Sequence, residues 1–144
     1  MVLHDQYTQS AFAAYEGSLQ DIGTDGNVGI MLLDSNYVPD LDADTVVNDI
    51  SADEVTDTDY SRQTLSTTSW TTGANAVTFD ADDVTWANST ITASYAVLFH
   101  DTGDDATSTL LQLIDFEGSE SSDNGDFTIS WDAAGIFEHT PRPA

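Results

Sequence analysis

The sequence predicts a mainly β single domain, a β-sandwich or jelly-roll with one α-helix at its N-terminal end. Three observations carry this. From residue 64 onward apolar residues recur with a period of two. The runs that keep this period are short and separated by turns rich in Asp, Gly, Ser and Thr. Before residue 64 a single stretch holds helical spacing over several turns, so helices are too few to cover a parallel sheet.

That stretch is 5–22. Tyr7, Phe12, Tyr15, Leu19 and Ile22 fall on one helical face, and Ala11, Ala13 and Ala14 favour the conformation. Asp5 stands at the N-cap position and Gly23 at the stop. Val28 to Leu33 (VGIMLL) is a short apolar run between turn signals, which reads as a buried strand. Asn36 to Asp44 contains Pro39 and reads as a loop, and Asp44 to Ile50 as one or two helical turns. Leu65–Thr72, Ala76–Phe79 and the pair Val84 and Trp86 mark three strands. Ile91, Ala93, Tyr95, Val97 and Phe99 then alternate with smaller or polar residues, giving a long strand with one apolar face. Asp101 to Ser108 is an acidic turn. Leu110 to Phe116 is apolar on both faces, as a central strand should be. Residues 117–125 read as a loop, Phe127, Ile129 and Trp131 as one face of a strand, and Ile136 and Phe137 as the close of the fold. Residues 139–144, HTPRPA, read as a C-terminal tail, and no linker divides 1–144 into two domains.

Charge is the dominant chemical feature. The chain holds 26 acids against two cations, Arg62 and Arg142, for a formal net charge of −24. Of the acids 21 are Asp and five are Glu, dispersed along the chain, so the whole surface must be acidic. Such a domain repels itself in dilute buffer. In molar salt the screening length falls to about 3 Å and the repulsion fades. The composition therefore fits a salt-saturated environment, with a calcium-loaded extracellular domain as the rival. It excludes nucleic acid and anionic membrane surfaces as partners, since both require a basic footprint. No apolar run approaches the ~20 residues that span a bilayer, and the start lacks the basic and apolar regions of a signal peptide. With no cysteine there is neither a disulfide nor a thiolate metal site.

Two acidic clusters invite a metal reading. Asp40, Asp42 and Asp44 alternate as calcium ligands do, but Thr45 stands where an EF-hand needs Gly, and Ser51 where it needs Glu. Asp80, Asp82 and Asp83 sit between two strands, where a solvated turn is expected. Solvated loop acids are the expectation for both, with weak contacts to sodium, potassium, magnesium or calcium the extent of any cofactor. His4, His100 and His139 have no zinc spacing. There is no G-x-S-x-G elbow, no phosphate-cradling glycine loop and no lysine, so the expectation is a protein that is not an enzyme. Trp86 and Trp131 are in phase with apolar neighbours and belong to a core. Trp70, among threonines, is the candidate for an interface or ligand contact.

Several stretches together resemble a family of small virion structural proteins of tailed bacterial and archaeal viruses. DQYTQSAFAAYEGSLQDI leads into VGIMLLDSNYVPD, and NDISADEV precedes Tyr60. The most specific parts are DADDVTWANSTITASYAVLF at 80–99, IDFEG at 114–118 and NGDFTISWDAAGIF at 124–137. The family's glycine-rich G-x-G-Y-x-x-G-G is replaced by DTDYSRQTL, which keeps Tyr60 and loses the glycines. The resemblance carries no catalytic residues. It implies a virion location and a role as capsid decoration or vertex turret subunit, or else as a tail or fibre component or a module binding a host glycan or surface-layer protein. With the acidic composition, it implies a virus of a halophilic archaeon. The implied partners are further copies of the chain and other virion proteins, the major capsid protein foremost. The tail is expected to meet a neighbouring subunit through His139, Pro141, Arg142 and Pro143.

Overall fold

A computed structural model describes residues 2–6, 26–72 and 77–139. Among these, ten strands follow in order: β1 (Val2–Gln6), β2 (Val28–Leu33), β3 (Gln63–Thr64), β4 (Ser69–Thr72), β5 (Val77–Asp80), β6 (Val84–Ser89), β7 (Thr92–His100), β8 (Leu110–Ser121), β9 (Gly125–Ile129) and β10 (Phe137–His139). A single-turn helix, α1 (Val47–Ile50), runs into a 3-10 turn at Ser51–Asp53. The fold is mainly β, as the period of two predicts. The strands form three antiparallel sheets, ordered β1-β8-β7-β2-β3, β10-β5-β4 and β6-β9.

At its centre the five-stranded sheet is buried on both faces, which is why β2 is apolar at every position. Its Val28, Ile30 and Leu32 enter the main core, shared with Phe79, Trp86, Phe127, Ile129 and Ile136 from the two smaller sheets and their connections. Met31 and Leu33 point the other way, into a second core with Tyr37, Val47, Ile50, Val97 and Phe99. The segment after β2 and α1 supply that second cover. Each such aliphatic side chain contributes roughly 1.5–3 kcal/mol by leaving water.

Three expectations are corrected. Asp5 and Gln6, read as the start of a helix over 5–22, lie in β1, where Val2 pairs with Asp115, Leu3 with Ile114 and Gln6 with Gln112. The partner strand is more than a hundred residues away, so no local period reports it; residues 7–22 lie outside the described residues. Next, β7 does not keep one apolar face. Ala93 faces the main core, but Tyr95, Val97 and Phe99 face the second one, and Ala96 and Leu98 replace them in the first. The switch falls where Ala93 pairs with Glu120 while Tyr95 pairs with Asp115, a bulge that reverses the parity. Finally, Glu117 to Ser121, read as a loop, continue β8 beyond that bulge. Glu117 takes a positive φ of 59°, and its N–H donates to the Asp115 carboxylate at 2.7 Å.

Trp131 falls just past β9, not within it. Its backbone N–H donates to Asp83 at 3.0 Å and its indole N–H to the Asp82 carbonyl at 2.9 Å, so it packs over the turn between β5 and β6.

Candidate functional site

Arg62 sits at the centre of a charged network. Its Nε and Nη2 donate to the two Glu54 oxygens at 2.8 and 2.7 Å, and Nη1 and Nη2 to the two Asp105 oxygens at 2.6 and 3.0 Å. The guanidinium carbon lies 5.8 Å from the Phe99 ring centre, within cation–π range. The Tyr60 hydroxyl donates to Glu54 at 2.7 Å and accepts from the Leu32 N–H at 3.0 Å. Arg62 thus joins the end of the 3-10 turn to the acidic turn after β7, and Tyr60 ties Glu54 to β2. Its hydrogen bonds to Glu54, then to Asp105, hold the guanidinium protonated far above its usual range. Arg62 in turn holds the Asp105 carboxyl below the ordinary Asp value. Burial pushes the Tyr60 phenol far up, so it stays protonated as a donor. Arg62 and its partners were not singled out as a group in the sequence, because residues 54, 62 and 105 have no shared motif. The available signal was scarcity: two cations among 26 acids.

The two acidic clusters are organised as turns. Asp40 Oδ1 accepts the N–H groups of Asp42 and Ala43 at 3.2 and 3.0 Å, and Asp44 Oδ2 accepts the Tyr37 hydroxyl at 2.7 Å and the Asp40 N–H at 3.2 Å. Asp80, Asp82 and Asp83 diverge: Asp80 accepts the Ala81 N–H, Asp82 the Thr67 hydroxyl at 2.6 Å, and Asp83 the Trp131 N–H. Among the described residues no three His, Asp or Glu side chains gather as a metal-holding group.

The same device recurs along the chain. Asp34, Asp40, Asp101, Asp104, Asp115 and Asp132 each accept the N–H two residues on, at 2.7–3.2 Å. These are Asx turns, closed by a side chain one methylene shorter than Glu. Asp49 closes the start of α1, accepting the Thr45 and Val46 N–H groups at 2.9 and 3.1 Å, which hold its carboxyl below the ordinary value. The excess of Asp over Glu has a local structural cause here as well as a surface one.

Trp70 lies on β4, half-buried, with its ring centre 5.0 Å from Phe79 and 5.5 Å from Phe137. It packs on the main core, and its buried indole N–H has no hydrogen-bond acceptor among the described residues. Trp86 is buried as expected, donating to the Ser61 carbonyl at 2.7 Å. His100 ends β7, at the rim, as its position before a turn predicts. His139 is the last residue of β10, opposite Val77. Pro141, Arg142 and Pro143 lie outside the described residues.

Two open clefts are formed by described residues. One, of about 420 Å³, lies between β8 and β9 and is lined by Phe116, Glu120, Ser121 and residues 126–130. The other, of about 210 Å³, is mostly polar and includes Asp34, Asp57, Thr92, Ser94 and Ser119. Asp57 accepts the Thr92 N–H at 3.0 Å, and the Ser94 and Ser119 hydroxyls bond each other at 2.9 Å, so this lining is largely paired within itself. Among the described residues no helix is long and apolar enough to cross a membrane. Compared with protein families, with curated proteins and with solved structures, the chain matches none.

Proposed function

We propose that this chain is a structural subunit of a halophilic tailed virus particle, assembling by symmetry with copies of itself as a capsid decoration or vertex turret. The observation that carries the reading is how the acids are used. At least six aspartates close their own turns, and others pin neighbouring segments. They shape and hydrate a surface; they do not converge on a reacting centre. Catalysis requires a base and a nucleophile or electrophile aimed at one point. Assembly requires stable faces with open edges, and the three sheets have edge strands with no further strand beside them among the described residues. The resemblance to virion proteins runs through the same elements: 80–99 spans β6 and β7, 114–118 the bulge of β8, and 124–137 β9 to the start of β10.

The test is immunogold electron microscopy of purified particles with antibody against this chain. Label over the head supports the reading. Label along the tail or at its tip moves it to a tail, fibre or host-binding component, and intact particles without label overturn it.

A further inference from the structure

β8 is twelve residues long, yet β1 pairs only with the part from Gln112 to Asp115. Past Asp115 the same edge runs on to Ser121 with no strand beside it among the described residues. β9 bonds to β6 along one edge, and its other edge has no partner strand among them either. These two edges line the cleft of about 420 Å³.

A connection as short as 122–124 ordinarily makes a paired hairpin. Here the turn is fastened elsewhere. The Ser122 N–H donates to the Ile91 carbonyl at 2.9 Å and the Asn124 N–H to the Thr90 hydroxyl at 3.1 Å. Both bonds tie the turn to the corner between β6 and β7, so β8 and β9 diverge from it. Phe116 and Phe127, with ring centres 6.1 Å apart, lie at the inner end. The slot is therefore preformed, with backbone edges on its walls and an apolar floor, which is the geometry of strand addition.

Its charge selects the occupant. Glu120 and Asp126 stand on opposite walls, and Asp126 is fixed by the Asn88 N–H at 3.0 Å. Most of this acidic chain would be repelled there. Of its two cations, Arg62 is held between Glu54 and Asp105. The other, Arg142, belongs to the sequence Thr140-Pro141-Arg142-Pro143-Ala144 that follows β10. In an extended chain alternate N–H groups point to the same side. Prolines at 141 and 143 remove the donors from one side and leave those of 140, 142 and 144 on the other. Such a segment adds to one edge and ends the sheet there.

We propose that the slot between β8 and β9 receives residues 140–144 of a second copy, with Arg142 set between Glu120 and Asp126. The proposal rests on the reading of the chain as a self-assembling subunit and names the contact. In molar salt only pairs in direct contact escape screening, and a forked guanidinium on carboxylates is such a pair.

The chain has no cysteine, so introduced thiols report unambiguously. A Thr128→Cys chain, altered on an exposed β9 position, is mixed with an Ala144→Cys chain in molar KCl and oxidised. The expected result is a mixed disulfide dimer, absent when Thr71→Cys on β4 replaces Thr128→Cys. Arg142→Glu in the Ala144→Cys chain should lower its yield by more than about tenfold, and Glu120→Arg in the Thr128→Cys chain should restore it. No cross-link at position 128, or equal cross-linking at 71 and 128, overturns the proposal, as does a wild-type chain that sediments as a monomer. A failed cross-link in a chain that still sediments as an oligomer overturns the contact alone, whereas a virion location is decided by particle labelling.

Discussion

Arg62 shows how much a single residue carries in a chain with two cations. It makes four charge-assisted hydrogen bonds to two carboxylates contributed by separate turns. Hydrogen bonds to charged groups are each worth more than neutral ones, though partial exposure of this site reduces the sum. Arg62→Ala should cost about 2 kcal/mol and lower the melting temperature by roughly 8 °C. Arg62→Lys, with a point charge in place of a fork, should recover about half of that. The effect depends on pH in one direction. The folded-state pKa of Asp105 is depressed, so its contribution is complete above the unfolded Asp value, about 3.9, and is lost as pH falls through the lower folded value. The gap between the wild-type and Arg62→Ala melting curves should therefore narrow as pH falls below about 4. A gap that stays constant from neutral pH to pH 3 would mean that the Asp105 contact contributes nothing.

At the scale of elements, β2 and β7 are locked by an absent side chain. Gly29 pairs with Phe99, and the Phe99 ring lies directly over the Gly29 α-carbon, where a Cβ would overlap it. The same ring lies within cation–π range of the Arg62 guanidinium. Gly29→Ala should therefore cost about 2 kcal/mol, the range for overpacking a filled core, and should loosen the Arg62 network with it. Chemical denaturation at fixed high salt checks this. A change below about 0.5 kcal/mol would show that Phe99 can swing away without loss. Elements also show where a pattern misleads. The alternation from Ile91 to Phe99 is real, but the bulge in β8 between Asp115 and Glu120 turns its second half to the other core.

For the whole molecule, a formal charge of −24 opposes compaction, with Arg62 the one cation among the described residues drawn into double pairing. Screening by molar salt relieves that repulsion, while the backbone-capping bonds of the aspartates are short-ranged and persist. Stability should fall steadily as salt is withdrawn. A melting temperature unchanged from molar KCl to dilute buffer would contradict the assignment to a salt-rich environment. The acidic surface also restricts partners to those that bring cations or bury paired edges, which is the basis of the proposed contact through Arg142.

The mainly β class, both faces of VGIMLL, the short helix near residues 47–50, the buried Trp86 and the acidic turns were legible in the chain, because each depends on neighbours within a few residues. Asp80, Asp82 and Asp83 were likewise legible as a turn, although the segments they pin were not. Pairings between distant residues were set only by the tertiary structure. β1 beside β8, the parity change in β7, Arg62 on Asp105, and the ties of the 122–124 turn to Thr90 and Ile91 that splay β8 from β9 all join residues tens to a hundred positions apart. Local sequence fixes which conformations the backbone prefers and which faces are apolar. It does not fix which edges meet, because that choice is made by the packing of the whole core.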